Sequence, residues 1–69
     1  MHQVQYALAV AEQRSFTAAA NLLHVSQSGV SAQVALLERE LGVILFHRTS
    51  RGIQITPAGE PVLEQLRRA

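Results

Sequence analysis

The chain lacks several residue types, and each absence narrows its chemistry. It has no cysteine, so it can form neither a disulfide nor a metal site built on thiolates. Its acidic residues are all glutamate, and without aspartate a serine, histidine and aspartate triad cannot be assembled. The three histidines, at positions 2, 24 and 47, lack the spacing of metal ligands. We therefore expect neither an enzyme nor a cofactor site.

Long apolar segments are also missing. No uncharged apolar run approaches the roughly 20 residues that span a bilayer. The N-terminus lacks the basic start of a signal peptide, and Glu12 and Arg14 close its first apolar segment. These features predict a cytoplasmic protein with no membrane partner. With 69 residues, the chain has room for one domain with a small core, and chains of this size often need a partner.

The segment 27–41 has the clearest helical pattern. An apolar stripe at helical spacing is formed by Val30, Val34, Leu37 and Leu41. The opposite face carries small uncharged residues where a solvated helix usually carries charge: Ser28, Ser31, Ala32 and Ala35. Such a face can approach another surface closely, and we interpret that surface as the floor of a DNA major groove.

Two shorter helices are predicted before this segment, over residues 2–13 and 16–23. Helical spacing assigns them inner faces made of Val4, Leu8 and Ala11 with Ala7, and of Phe16, Ala19, Ala20 and Leu23. Ser15 is suited to cap the second helix, and a turn over residues 24–26 follows it. Two helices joined by a three-residue turn predict a helix-turn-helix.

Both ends of the helix 27–41 have local signals. Ser26 is a suitable N-cap, and Val25 before it can pack on Val30 as a hydrophobic staple. Gly42 is placed to end the helix in a left-handed conformation. Gly29 lies inside the first turn, where glycine costs up to about 1 kcal/mol against alanine, so the backbone there is expected to pass close to another group.

A β-hairpin is predicted after the third helix. Residues 43–47 are rich in β-branched and aromatic side chains, and residues 53–56 alternate apolar and polar. The five-residue loop 48–52 between them carries much of a basic cluster, HRTSR, although the net charge of the chain is only +1. Arginine is suited to phosphate recognition, but two nearby arginines are equally consistent with a solvated loop.

A last helix is expected from Pro57 onwards, with Thr56 as its N-cap. Pro61 would fall at about the fifth helical position, where it predicts a kink. Glu64 can pair with Arg67 and Arg68, and the apolar seam consists of Val62, Leu63, Leu66 and Ala69. The whole order predicts a mainly α fold: a winged helix-turn-helix of three helices and a two-stranded wing, followed by a C-terminal helix.

The chain resembles the N-terminal DNA-binding domain of LysR-type bacterial transcriptional regulators. The matching segments are spread over nearly the whole chain and include AVAE at 9–12, SFT at 15–17, LHVSQ at 23–27, LGV at 41–43 and AGE at 58–60. The chain departs from the family where Ser28 and Gly29 replace the usual proline and alanine. Ala32 stands where a basic residue is common, and Pro61 is unusual. These departures affect base preference and leave the fold unchanged.

The resemblance implies that residues 1–56 are the winged helix-turn-helix and that residues 57–69 begin a linker or dimerisation helix. It further implies sequence-specific binding of double-stranded DNA, with helix 27–41 in the major groove and the wing 47–52 on the backbone or minor groove. The implied DNA-binding residues are Ser26, Gln27, Ser28, Ser31, Ala32, Gln33, Arg48, Thr49 and Arg51. Arg48 is also a candidate for a partly structural role.

The family further implies regulation of transcription as a homodimer, or as a tetramer in a full-length protein, on a roughly palindromic operator in the bacterial nucleoid. The implied dimerisation residues are Val62, Leu63 and Leu66. Alternatively, Leu63 and Leu66 complete the core of a monomer. A small-molecule effector would bind a further domain outside this chain, which is then an excised fragment or a truncated product. The rival function is a winged helix that binds a protein and no nucleic acid.

Overall fold

The computed structural model describes residues 2–69, which form four helices and one antiparallel hairpin. The elements, in chain order, are α1 (Gln3–Gln13), α2 (Phe16–Leu23), α3 (Gln27–Leu41), β1 (Phe46–Thr49), β2 (Gly52–Ile55) and α4 (Gly59–Arg68). The predicted winged helix-turn-helix with an added C-terminal helix is confirmed. None of the helices in this described range is both long and apolar enough to cross a membrane.

Serine caps fix the starts of α2 and α3, as predicted. The hydroxyl of Ser15 accepts a hydrogen bond from the amide of Ala18, and that of Ser26 accepts one from the amide of Gly29, both at 3.0 Å. Each cap of this kind contributes about 1 kcal/mol. Gly42 ends α3 with φ of 69°, in the left-handed conformation predicted for it. A few local residues therefore determine where the helices of the helix-turn-helix begin and end.

The three N-terminal helices pack around a core that is rich in alanine. Its buried members are Ala7, Ala9, Val10, Ala11, Phe16, Ala19, Ala20, Val30, Val34, Leu37, Leu45, Phe46 and Leu63. Alanine removes little apolar surface per residue, but it lets helix axes approach closely. The core therefore depends on close contact among α1, α2 and α3 more than on large side chains.

Two sequence-based expectations about the core are wrong. Val4 is 37% exposed, because α1 turns Ala7, Val10 and Ala11 inward. Leu41 is 41% exposed, because the chain reverses at Gly42 and Leu45 fills the core in its place. Val25 is 36% exposed, and its predicted staple against Val30 stays a prediction.

The wing begins later and has a tighter turn than predicted. Phe46 pairs with Ile55 and Thr49 with Gly52, which leaves a two-residue turn in place of the predicted loop 48–52. Residues 43–45 are not part of the strand. One oxygen of the Glu38 carboxylate accepts hydrogen bonds from the amides of Leu45 at 2.7 Å and Phe46 at 3.3 Å. The Leu45 amide is thus bonded to α3 at the point where the strand begins.

The last helix starts at Gly59, two residues later than predicted, and its N-cap position is Ala58 instead of the predicted Thr56. The Thr56 hydroxyl accepts a hydrogen bond from the amide of Gly59 at 2.9 Å. Pro61 therefore lies third in α4, within the first turn. An amide at that position has no partner inside the helix, so the reason for expecting a kink at proline disappears.

Pairing through the predicted dimerisation seam on α4 stays a prediction, and part of this seam belongs to the core of the domain. Leu63 is 2% exposed and belongs to the core of the domain itself, where α4 packs on α1. Val62 and Leu66 are half-buried and pack against the same core. The alternative, in which the seam completes a monomer, therefore describes Leu63. On the far side of the helix, Glu64 pairs with Arg67 at 3.4 Å and with Arg68 at 3.3 Å, as predicted.

Candidate nucleic-acid interface

The N-terminal half of α3 presents the small, uncharged face that the sequence predicts. Gln27, Ser28 and Ala32 are exposed, whereas Val30 and Val34 on the opposite side are buried. Ser31 and Gln33 are half-buried at the edges of this face. Serine and alanine project only a short distance from the helix axis. The backbone of α3 can therefore come close to any surface that meets this face.

The first turn of α3 contains a cluster of hydroxyl groups. The Ser26 hydroxyl is already used as the helix cap, and it lies 3.3 Å from the hydroxyl of Ser28. A Cβ atom added to Gly29 would stand 2.9 Å from the Ser26 hydroxyl, so a side chain at this position would crowd the helix cap. The group expected to lie close to the Gly29 backbone is thus the Ser26 hydroxyl of the chain itself.

Gln27 has a partner that sequence reasoning missed. The hydroxyl of Thr17, the second residue of α2, donates a hydrogen bond to Oε1 of Gln27 at 3.0 Å. Both side chains are exposed at the mouth of the helix-turn-helix. The two residues are ten positions apart and lie on different helices. No periodic pattern in the sequence therefore links them, and only the angle between α2 and α3 brings them together.

Arg48 lies in β1 and packs on the protein instead of occupying the wing tip. Its guanidinium carbon is 4.5 Å from the centre of the Phe16 ring, which in turn meets Phe46 edge to face at 6.1 Å between ring centres. A cation over an aromatic face contributes about 0.5–1 kcal/mol at an exposed site. Arg48 therefore attaches the wing to α2, in agreement with the partly structural role considered for it.

The wing turn leaves one arginine projecting. The Thr49 hydroxyl donates to the carbonyl of Gly52 at 3.0 Å and accepts from the amide of Arg51 at 3.2 Å, so it stabilises the turn. Arg51 is exposed in the turn itself. Within residues 2–69 the ion pairs all involve Glu64, so the charges of Arg48 and Arg51 are not neutralised by a carboxylate.

The start of α2 thus connects both parts of the candidate interface. Thr17 contacts Gln27 on α3, and the neighbouring Phe16 supports Arg48 on the wing. The exposed site residues of α3 and the wing are held by one rigid helix end, itself capped by Ser15. Within residues 2–69, no group of three or more histidine, aspartate or glutamate side chains could hold a metal ion.

Comparison with known proteins gives consistent results. A family model described as "Bacterial regulatory helix-turn-helix protein, lysR family" matches residues 1–60. The HTH-type transcriptional regulator TfdS of Cupriavidus pinatubonensis is 50% identical over 66 residues, which cover 96% of this chain and 22% of TfdS. The chain thus spans about a fifth of the length of such curated relatives.

Solved structures agree in three dimensions. The CbnR DBD–DNA complex superposes with a TM-score of 0.89 at 48% identity, covering 96% of this chain and 76% of that chain. The BenM DBD/catB site 1 DNA complex superposes with a TM-score of 0.89 at 38% identity, covering 96% of this chain and 74% of that chain. In both cases the similar chain is in complex with DNA.

Proposed function

Because the chain belongs to the LysR family of bacterial regulatory helix-turn-helix proteins, we propose that residues 1–56 bind double-stranded DNA in a sequence-specific manner. The family consists of transcriptional regulators, so the chain is not an enzyme. The observation that carries the proposal is the bare face on the first turns of α3, where exposed Gln27, Ser28 and Ala32 surround a closely approachable backbone. The complexes of CbnR and BenM with DNA support it.

In this proposal α3 lies in the major groove with its N-terminal turns nearest the bases. Gln27 offers an amide to base edges, and the hydroxyls of Ser28 and Ser31 reach bases or phosphates. Ala32 cannot make the bidentate contact to guanine that a basic residue makes, but its methyl group suits the methyl group of thymine. The N-terminus of α3 adds a favourable dipole towards phosphate, close to the hydroxyl of Ser26. Gln33 is half-buried, and in this proposal it contacts DNA at the edge of the exposed face of α3.

The wing supplies the positive charge that α3 lacks. Arg51 projects from the turn without a carboxylate partner among residues 2–69, which suits a contact with phosphate or a narrow minor groove. Arg48 and Thr49 form the support of that turn through Phe16 and Gly52. Their contribution to DNA binding is mainly to hold Arg51 in place.

We further propose that residues 57–69 begin a linker helix through which two copies pair. Val62 and Leu66 are the candidate contacts, since each keeps part of its surface exposed, and Leu63 is assigned to the core. Two-fold symmetry then implies a roughly palindromic operator with half-sites near one helical turn apart. The full-length regulator would act in the cytoplasm at the nucleoid, as a dimer or tetramer, and sense its effector through a domain outside this chain.

A salt titration tests DNA binding directly. We expect the chain to bind random duplex DNA at low salt, with log K falling by about 0.9 per phosphate neutralised for each unit of log salt concentration, because bound phosphates release counterions. The measurement is fluorescence anisotropy of a labelled duplex at several salt concentrations. Absent binding at low salt, or binding indifferent to salt, would favour a winged helix that binds a protein and would contradict the proposal.

A further inference from the structure

We infer that Thr17 is a positioning residue that holds the Gln27 side chain in place to face the DNA bases. The inference rests on the proposed function, since it concerns how α3 reads a groove. Its basis is the hydrogen bond of 3.0 Å from the Thr17 hydroxyl to Oε1 of Gln27, which joins the start of α2 to the start of α3.

The bond matters because the two ends of a glutamine amide have opposite hydrogen-bonding character. Oε1 only accepts and Nε2 only donates. With Oε1 turned towards Thr17, Nε2 of Gln27 is turned away from α2 and is the group available to the groove. Purine N7, guanine O6 and thymine O4 are acceptors in the major groove, whereas cytosine presents the donor N4. In this arrangement Gln27 presents a donor to the base it faces, and its side chain is held in one place while it does so.

Thr17 is well suited to act as a fixed anchor. Its neighbour Phe16 is buried in the core at 8% exposure, and Ser15 caps the same helix end. Threonine is also branched at Cβ, which restricts its χ1 angle. Gln27, by contrast, is exposed and has three rotatable side-chain bonds. The bond therefore restricts the Gln27 side chain already in the free protein, so less side-chain entropy is lost when DNA binds.

A direct contact of Thr17 with a DNA phosphate is the competing role, and it makes a different prediction. A lost phosphate contact weakens binding by a similar factor on every sequence. A lost positioning contact changes preference at one base pair and acts only through Gln27. A double-mutant cycle on these two residues separates the roles, because residues that act through one another are non-additive.

The experiment uses a duplex selected by the wild-type chain from a random pool, together with its single base-pair variants, in anisotropy titrations at one salt concentration. Gln27→Ala identifies the base pair that Gln27 reads. Thr17→Val removes the hydroxyl with little change of shape, and Thr17→Ser is the matched control that keeps it. We expect Thr17→Val to reduce discrimination at that base pair by about threefold to tenfold, the size of one hydrogen bond. Thr17→Ser should retain it.

In the Gln27→Ala background, Thr17→Val should have no further effect. The inference would be overturned if Thr17→Val weakened binding to all duplexes by the same factor, or if it kept its full effect in the Gln27→Ala background. Neither result would contradict the proposed DNA binding. Unchanged discrimination in the valine variant would also overturn the inference. If the wild-type chain itself showed no salt-dependent binding to DNA, the proposed function would be contradicted instead. Thermal unfolding checks the valine variant, and Thr17→Ala provides a second variant without the hydroxyl.

Discussion

At the scale of single residues, close atomic contacts and hydrogen bonds explain why Thr56 and Gly59 are buried although neither has a large apolar side chain. Thr56 is buried, and its hydroxyl donates to the carbonyl of Ile44 while accepting from the amide of Gly59. A Cβ atom on Gly59 would stand 2.9 Å from the carbonyl oxygen of Leu45, so only glycine lets α4 start so near the segment before the wing. These contacts fix where α4 leaves the domain.

Arg51 provides the residue-scale test of the wing. We expect Arg51→Ala to lower the slope of log K against log salt by about 0.9, because one neutralised phosphate is lost, and to weaken binding similarly on all sequences. The measurement is the same anisotropy titration at several salt concentrations.

The matched control for Arg51 is Arg68→Ala. It removes the same charge from an exposed arginine that pairs with Glu64 on α4, far from the wing in sequence. The control should leave the slope close to that of the wild-type chain. If both variants change the slope equally, the effect is one of net charge, and if Arg51→Ala changes nothing, Arg51 is not in the interface.

At the scale of elements, α3 controls the wing as well as the groove-facing surface. Glu38 lies in the second half of α3 and accepts hydrogen bonds from the amides of Leu45 and Phe46. Arg48 attaches the other side of β1 to α2 through Phe16. An isolated two-stranded hairpin is at best marginally stable in water, so these attachments are what keep the wing in place.

Glu38→Leu should therefore loosen the wing. Two amides lose their acceptor, and an unpaired, partly buried donor costs about 1–3 kcal/mol, so we expect a loss of this order in the free energy of unfolding. Urea denaturation measures it, and hydrogen exchange of the Leu45 amide should become faster.

Glu38→Gln is the matched variant, because its amide oxygen can still accept from both backbone groups. It should lose less stability than Glu38→Leu. Equal losses for the two variants would show that the carboxylate charge matters and that the accepted hydrogen bonds do not.

At the scale of the whole molecule, the domain is completed by α4 packing across α1. Leu63 is one of its largest fully buried side chains, so the first part of the proposed linker helix is also part of the core. The same helix keeps partly exposed apolar surface at Val62 and Leu66, next to a polar side with Glu64, Arg67 and Arg68. One helix can thus serve both the fold of each copy and the pairing of two copies.

Leu66→Glu tests the pairing. We expect the wild-type chain to sediment as a dimer at sufficient concentration and the variant as a monomer, because a carboxylate would be desolvated in an apolar seam. The control is Leu22→Glu, which places the same charge at a leucine on α2 that is 55% exposed. Analytical ultracentrifugation is the measurement, with thermal unfolding to confirm that both variants fold. A variant with the wild-type oligomeric state would count against the seam.

The sequence alone determined the elements whose signals are local. The serine caps at Ser15 and Ser26, the left-handed Gly42 and the inner stripe of α3 each depend on residues within a few positions of one another. The small exposed face of α3 follows from the same periodicity. These features were sufficient to predict the helix-turn-helix and the surface proposed to meet DNA, whereas the resemblance to LysR-type regulators rests on segments matched along nearly the whole chain.

The tertiary structure decided what depends on contacts between distant residues. Glu38 accepts hydrogen bonds from the amides of Leu45 and Phe46 where the wing begins, and Leu63 is buried because α4 packs on α1. The bond between Thr17 and Gln27 exists because the angle between two helices places their starts side by side. Such contacts leave no period in the sequence, since each depends on where several elements pack and none on the spacing within one.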